Sequence, residues 1–145
     1  MSKTCLIAAH ETLADGYTGE LVELVETTLG WKLVWSTAEK PEVILFAGGQ
    51  DISPSMYGQK ALATTDKPNY FRDGAEVQAY MYSQCISPLE NPVWNVGINR
   101  GMQLLNVMNG GKLQQFIEGH HDVIMGKTMH PVEYLGKNKK DTFGI

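Results

Sequence analysis

Residues 91–113 decide the fold, and they read N-P-V-W-N-V-G-I-N-R-G-M-Q-L-L-N-V-M-N-G-G-K-L. The apolar run 92–98 is typical of a buried strand, and the apolar positions after Gly101 favour one face of a helix. The two patterns meet at G-I-N-R-G, which places a glycine two positions either side of Asn99. Small residues there allow the strand and the helix to approach closely, and the central residue of such a turn takes a strained conformation. We therefore predict a nucleophile-elbow turn; an ordinary tight strand-to-helix turn is the competing interpretation.

The residue at the centre of this turn, Asn99, is the main chemical fact of the sequence. A neighbouring base can activate a thiol or a hydroxyl, but it cannot make an amide side chain into a useful nucleophile. Asparagine is, however, among the few non-glycine residues that tolerate a positive φ. We predict that Asn99 keeps the shape of the turn while removing its chemistry.

Three blocks of sequence carry a family resemblance. The segment from Gly97 resembles the G-I-C-R-G-M-Q-L-L-N-V motif of the class I glutamine amidotransferase superfamily, in its γ-glutamyl hydrolase branch. The loop F-A-G-G-Q-D-I-S-P-S-M-Y-G (46–58) and the Arg72-Asp73…Glu76 block are similar to two further motifs of that branch. The blocks stand in the family's order and together cover roughly residues 4–121. The resemblance implies an α/β, flavodoxin-like, doubly wound, mainly parallel sheet, with a nucleophilic cysteine where this chain has asparagine.

The remaining hydrophobic patterns complete this sheet. We predict strands at 4–9, 31–36, 43–47 and 92–98, helices at 20–29 and 72–86 and after Gly101, and a hairpin of short strands at 122–125 and 130–135. No repeat, low-complexity segment or linker is visible, so residues 1–145 are predicted to form a single domain. The family's later His-x-Glu block has no match, because His130 and Glu133 give H-P-V-E; we therefore expect a C-terminally truncated version of the fold.

The site residues follow from the turn and from the glycine loop. Paired glycines at a strand's carboxyl end, Gly48 and Gly49, allow backbone N–H groups to point at a ligand, although a ligand-free turn is the alternative. The resemblance implies that Gly49 and Arg100 donate to an oxyanion hole and that Gln103 lies near a bound γ-glutamyl group. Gly48, Asp51 and Gln103 are therefore candidate pocket residues, and Asp51 is also suited to cap the next turn through its carboxylate.

The other reactive side chains give weaker signals. His10 follows the first strand at the end where open α/β sheets place their ligands, but an ordinary loop histidine is the preferred interpretation. His120 and His121 are adjacent, so their side chains diverge, and no acid or thiol clusters with them at ligand spacing. Nothing near Cys85 indicates a lowered pKa that would make it a substitute nucleophile. We expect no metal and no cofactor.

Charge and composition exclude several functional classes. The net charge of −4 offers no basic field for nucleic acid, and no targeting segment or apolar run of membrane-spanning length appears. Two cysteines without a metal-like spacing suit a reducing cytoplasm.

Three functional hypotheses remain. The leading one is a catalytically inactive amidotransferase-like protein that binds a protein partner or a second copy of itself, as a phage-encoded modulator of a host or synthetase-type enzyme would. The alternatives are an amidotransferase or γ-glutamyl hydrolase subunit completed by another chain, and a sensor of glutamine or γ-glutamyl compounds.

Overall fold

The computed structural model describes residues 2–13, 15–86, 92–118, 123–124 and 127–128. The chain divides into two compact units, Met1–Gln115 and Phe116–Ile145. In the second unit Val123–Ile124 (β5) pairs antiparallel with Lys127–Thr128 (β6). β5 lies within the strand predicted at 122–125, and its partner β6 was not predicted. The strand predicted at 130–135 lies outside the described residues. The single domain stays a prediction.

The first unit is built on a parallel sheet. Its strands are Thr4–Ile7 (β1), Lys32–Val34 (β2), Val43–Phe46 (β3) and Trp94–Gly97 (β4). They lie in the order β2-β1-β3-β4, and every pair is parallel. The chain steps from β1 to one side and then crosses back to the other side. This confirms the predicted doubly wound, flavodoxin-like arrangement.

Three α-helices in the described residues connect or follow these strands. They are Asp15–Glu23 (α1), which continues as a π-helical turn over Leu24–Thr28, Tyr70–Ile86 (α2) and Arg100–Met108 (α3). The helix predicted at 20–29 begins earlier, at Asp15. The prediction missed its first residues because they include two glycines and carry no apolar periodicity. The strands are shorter than predicted, since they end where the ladder of backbone hydrogen bonds ends.

The sheet separates two apolar cores. Along β3, Val43 and Leu45 face α1, whereas Ile44 and Phe46 face α2 and α3. All four side chains are buried, with at most 5% of their surface exposed. A strand covered on both faces therefore reads as a continuous apolar run, as the sequence predicts for β3.

The expectation that residues 92–98 are buried is wrong. Within the described residues β4 is an edge strand, and Trp94 and Val96 are 59% and 42% exposed. The apolar side chains that face α1 come from β1, β2 and β3, and none of that buried set belongs to β4. A small apolar cavity of about 110 Å³ remains under Val96 and Ile98, against Leu24 and Leu29.

Candidate functional site

Asn99 occupies the turn between β4 and α3 in the conformation that the sequence predicts. Its φ of 51° and ψ of −110° confirm the expected positive φ. Its side-chain Oδ1 accepts a hydrogen bond from the Arg100 backbone N–H at 2.7 Å, so Asn99 caps the first turn of α3. The amide oxygen is therefore held against the helix N-terminus.

The two glycines of the elbow are required by close backbone approach. A Cβ on Gly97 would lie 2.5 Å from the Met102 backbone nitrogen. A Cβ on Gly101 would overlap the carbonyl oxygen of Phe46 in β3 and would lie 2.5 Å from its carbonyl carbon. Strand and helix therefore pack closely at both predicted positions, as an elbow requires.

Gly48 lies next to Asn99. A Cβ built on Gly48 would lie 3.4 Å from Asn99 Cβ and 3.0 Å from the hydroxyl of Tyr17. The Gly48 N–H donates to that hydroxyl at 3.0 Å. Tyr17 therefore belongs to the site, although it lies outside every motif and ahead of the predicted helix. No pattern in the sequence could have identified it, since only the tertiary fold brings α1 to this loop.

The glycine loop is held in place by Arg72. The Nη2 of Arg72 donates to the carbonyl oxygens of Ala47 and Gly48 at 3.0 and 2.8 Å. Gly49 has a φ of 138°, and a Cβ there would overlap the Arg72 guanidinium. The loop shape expected for an oxyanion hole therefore depends on the buried Arg72. Its guanidinium occupies the space that a side chain at position 49 would need.

The same arginine belongs to a buried ion network under the elbow. Glu76, which has no exposed surface, accepts from Arg72 Nε at 2.9 Å and from Arg100 Nη1. Asp73 accepts from Arg100 Nη2 and from Ser53 Oγ. Asp73 lies in the first turn of α2, and its carboxylate also joins this network. The Arg72-Asp73…Glu76 block therefore ties the glycine loop to the elbow helix.

The remaining pocket candidates lie nearby in different roles. Asp51 Oδ2 accepts from the Asp66 backbone N–H at 3.0 Å, so it closes the loop after β3 instead of capping the turn that follows it. Burial raises the pKa of Tyr57, and the charge of Asp51 adds to that rise. Gln103 is half-buried one helical turn beyond Asn99, and its backbone N–H donates to the Asn99 carbonyl oxygen at 3.2 Å.

The thiols and the imidazole of the described residues lie elsewhere. Cys5 is buried in β1, where loss of solvent raises its pKa to about 11, and Cys85 is exposed near the end of α2. The ring of His10 packs against Trp35, with centroids 4.8 Å apart. Within the described ranges, no three His, Cys, Asp or Glu side chains are arranged to hold a metal ion. His120, His121 and His130 lie outside those ranges.

Comparison of the sequence with known protein families identifies the family of this chain. The sequence model of Peptidase C26 matches residues 19–141, most of the chain. The chain belongs to the Peptidase C26 family. This Peptidase C26 chain spans about a quarter to a third of the length of the curated relatives it matches. Within the residues that the structure describes, no helix combines the length and apolarity needed to cross a bilayer.

Three relatives of this Peptidase C26 chain illustrate the match. It is 34% identical over 87 residues to "Putative glutamine amidotransferase Rv2859c" of Mycobacterium tuberculosis, covering 60% of this chain and 25% of that protein. It is 34% identical over 88 residues to Protein NtpR of Enterococcus hirae, covering 61% and 35%. It is 36% identical over 72 residues to a YvdE homolog of Lactococcus lactis, named as glutamine amidotransferase-like, covering 50% and 36%.

Proposed function

We propose that this chain is a non-catalytic member of the Peptidase C26 family that acts by binding protein. The observation that carries the proposal is the elbow itself. Asn99 has the strained backbone of a nucleophile position, yet its amide oxygen is bound to the Arg100 N–H. An amide side chain at this position stabilises the turn and does not act as a nucleophile.

The surroundings of Asn99 support the loss of chemistry. Hydrolysis of a glutamine side chain requires a nucleophile, a base and free donors for the developing oxyanion. Of the two oxyanion donors that the family resemblance implies, Arg100 and Gly49, the Arg100 N–H is taken by Asn99. Beside Gly49, the Gly48 N–H is taken by Tyr17. Of the two cysteines, Cys5 is held as a neutral thiol by burial, and Cys85 lies on α2.

The surface that supports protein binding is the β4 edge, defined here by Trp94, Val96 and the neighbouring Leu29. All three side chains are more than two-fifths exposed. Monomeric proteins commonly protect sheet edges with charges, prolines or very short strands. The opposite edge has such protection, because β2 has three residues and begins with the exposed Lys32. β4 contains no charged residue, so its apolar face suits coverage by another protein surface.

An interface at the β4 edge predicts the behaviour of one substitution. Val96→Lys places an ammonium group in the apolar face, and we expect it to weaken association at least about tenfold, since an unpaired buried charge is costly. The matched control is Met102→Lys, because Met102 is an equally apolar side chain, 54% exposed, on α3. Light scattering at micromolar concentration should show an assembly heavier than 16.1 kDa for the unaltered chain and for the control. A stable monomer of the unaltered chain would count against the proposal, as would equal loss in both variants.

A second candidate function is binding of glutamine or a γ-glutamyl compound without hydrolysis. It is favoured by the exposure of Asn99, whose side-chain nitrogen keeps two donors, beside the half-buried Gln103. Calorimetry with glutamine and γ-glutamyl compounds distinguishes it from the first proposal. Absence of heat at millimolar ligand would remove it.

A further inference from the structure

A cleft separate from the elbow opens at the carboxyl ends of β1 and β2. Its volume is about 230 Å³, and it is bounded by the residues after β1, the residues after β2 and one face of α2. None of its lining residues belongs to the elbow or to the glycine loop. The carboxyl ends of strands are the usual place for ligands in a doubly wound sheet.

Local sequence creates this space. Ala75 and Ala79 stand one helical turn apart on α2, and their small side chains leave room above β1. On the other side, Ala9 takes a left-handed conformation, with φ of 52° and ψ of 34°, immediately before His10. A non-glycine residue in that region is strained, and such strain clusters at ligand sites.

The cleft is lined by one negatively charged side chain and two aromatic rings. Glu11 supplies the single carboxylate, His10 and Trp35 supply the rings, and no lysine or arginine lines the cleft. The two rings lie 4.8 Å apart at an interplanar angle of 59°, and half of the Trp35 side chain is exposed. The Glu11 carboxylate lies 3.9 Å from His10 Nδ1. Carboxylate and aromatic surface therefore meet within one small cleft.

The Trp35 ring is presented on a fixed backbone. The Trp35 backbone N–H donates to the Glu39 carboxylate at 2.9 Å, and the Ser36 hydroxyl accepts from the Ala38 backbone N–H at 3.1 Å. These bonds hold the short 3-10 helix Thr37–Glu39 directly after the tryptophan. Glu39 also places a second negative charge close to the cleft. A fixed backbone limits the positions open to the ring, so less entropy is lost when a ligand binds.

We infer that this cleft binds a small organic cation, with its ammonium group over the Trp35 ring and paired with the Glu11 carboxylate. Tryptophan is the best side-chain partner for a cation over a ring face, and a nearby carboxylate adds Coulomb attraction. The volume lies below the roughly 300–1,000 Å³ of drug-sized pockets, which limits the ligand to a compact headgroup. The chain's net charge of −4 attracts cations further.

Choline and its neutral carbon isostere, 3,3-dimethylbutan-1-ol, isolate the contribution of charge. Both are titrated into the full chain at low ionic strength, and binding is followed by calorimetry and tryptophan fluorescence. We expect saturable millimolar binding of choline and at least about tenfold weaker binding of the isostere. Binding of choline should weaken further as salt is added. Equal binding of the two compounds, or no saturation by choline, would overturn the inference.

Variants then locate the site. Glu11→Gln and Trp35→Leu alter side chains of which about two thirds and one half are exposed, so the fold should survive, and each should weaken choline binding by about fivefold or more. Phe71→Leu is the matched control, because Phe71 is also an exposed aromatic side chain but lies on α2 outside the cleft. Full affinity in Trp35→Leu, or equal loss in Phe71→Leu, would overturn the assignment. The hydrolysis and assembly assays are independent of this result.

Discussion

Gly101→Ala is expected to lose more than about 4 kcal/mol of the free energy of unfolding, the range of exceptional point substitutions. The added methyl group would overlap the carbonyl oxygen of Phe46, which belongs to the backbone of the buried strand β3. Backbone atoms cannot rotate away as the end of a flexible side chain can. Helix α3 would have to move away from the sheet, and the apolar contacts of Leu104 and Val107 would be lost.

A matched substitution separates this steric effect from the general effect of glycine. Gly74 lies inside α2, and a Cβ there would meet no atom within 4 Å. Gly74→Ala should therefore gain about 0.5–1 kcal/mol, because alanine loses less backbone entropy on folding. Urea unfolding followed by circular dichroism measures both variants. A Gly101→Ala midpoint equal to that of the unaltered chain would show that α3 does not approach β3 as closely as described.

Glu76→Gln is expected to cost about 3–5 kcal/mol of stability, the usual consequence of breaking a buried ion pair. Glu76 has no exposed surface and accepts from both Arg72 and Arg100. The neutral amide keeps the size of the side chain, but it leaves the two buried guanidinium groups with the single negative charge of Asp73. The glycine loop should loosen as well, because Arg72 holds the carbonyl oxygens of Ala47 and Gly48.

The control for this charge removal is Glu26→Gln. Glu26 is exposed in the π-helical turn after α1, where the same chemical change should alter stability by less than about 0.5 kcal/mol. Denaturant midpoints of the two variants give the comparison. Similar small losses in both variants would mean that the network under the elbow contributes little to the fold.

The topology and the elbow could be predicted from the sequence. The run at 43–47 has to be covered on both faces, and the glycines at 97 and 101 require close packing, so the central strand and the turn could be placed by pattern. The positive φ of Asn99 follows from the same layout. The family motifs fixed the order of the elements, which periodicity alone leaves open.

The features that could not be predicted from the sequence depend on tertiary contacts. Tyr17 reaches Gly48 only after α1 folds across the sheet, and Asp73 finds Arg100 only after β4 brings α3 beside α2. The exposure of Trp94 depends on which strand lies at the edge of the described sheet, and an apolar run does not report that. The cleft beside His10 depends on alanines in a distant helix.

The proposed loss of catalysis also predicts the result of restoring a thiol. The Asn99→Cys variant should release no ammonia, because the new thiol would lack a base. Within the described ranges the histidine is His10, and its ring contacts Trp35 and Glu11. A thiol without a base to take and return a proton does not turn over an amide.

Ammonia release from glutamine and from γ-glutamyl amides by the purified chain tests the central claim most directly. The account predicts a rate equal to that of buffer for the unaltered chain and for Asn99→Cys. Release that rises in proportion to the concentration of the unaltered chain, and that disappears in Asn99→Ala, would contradict it.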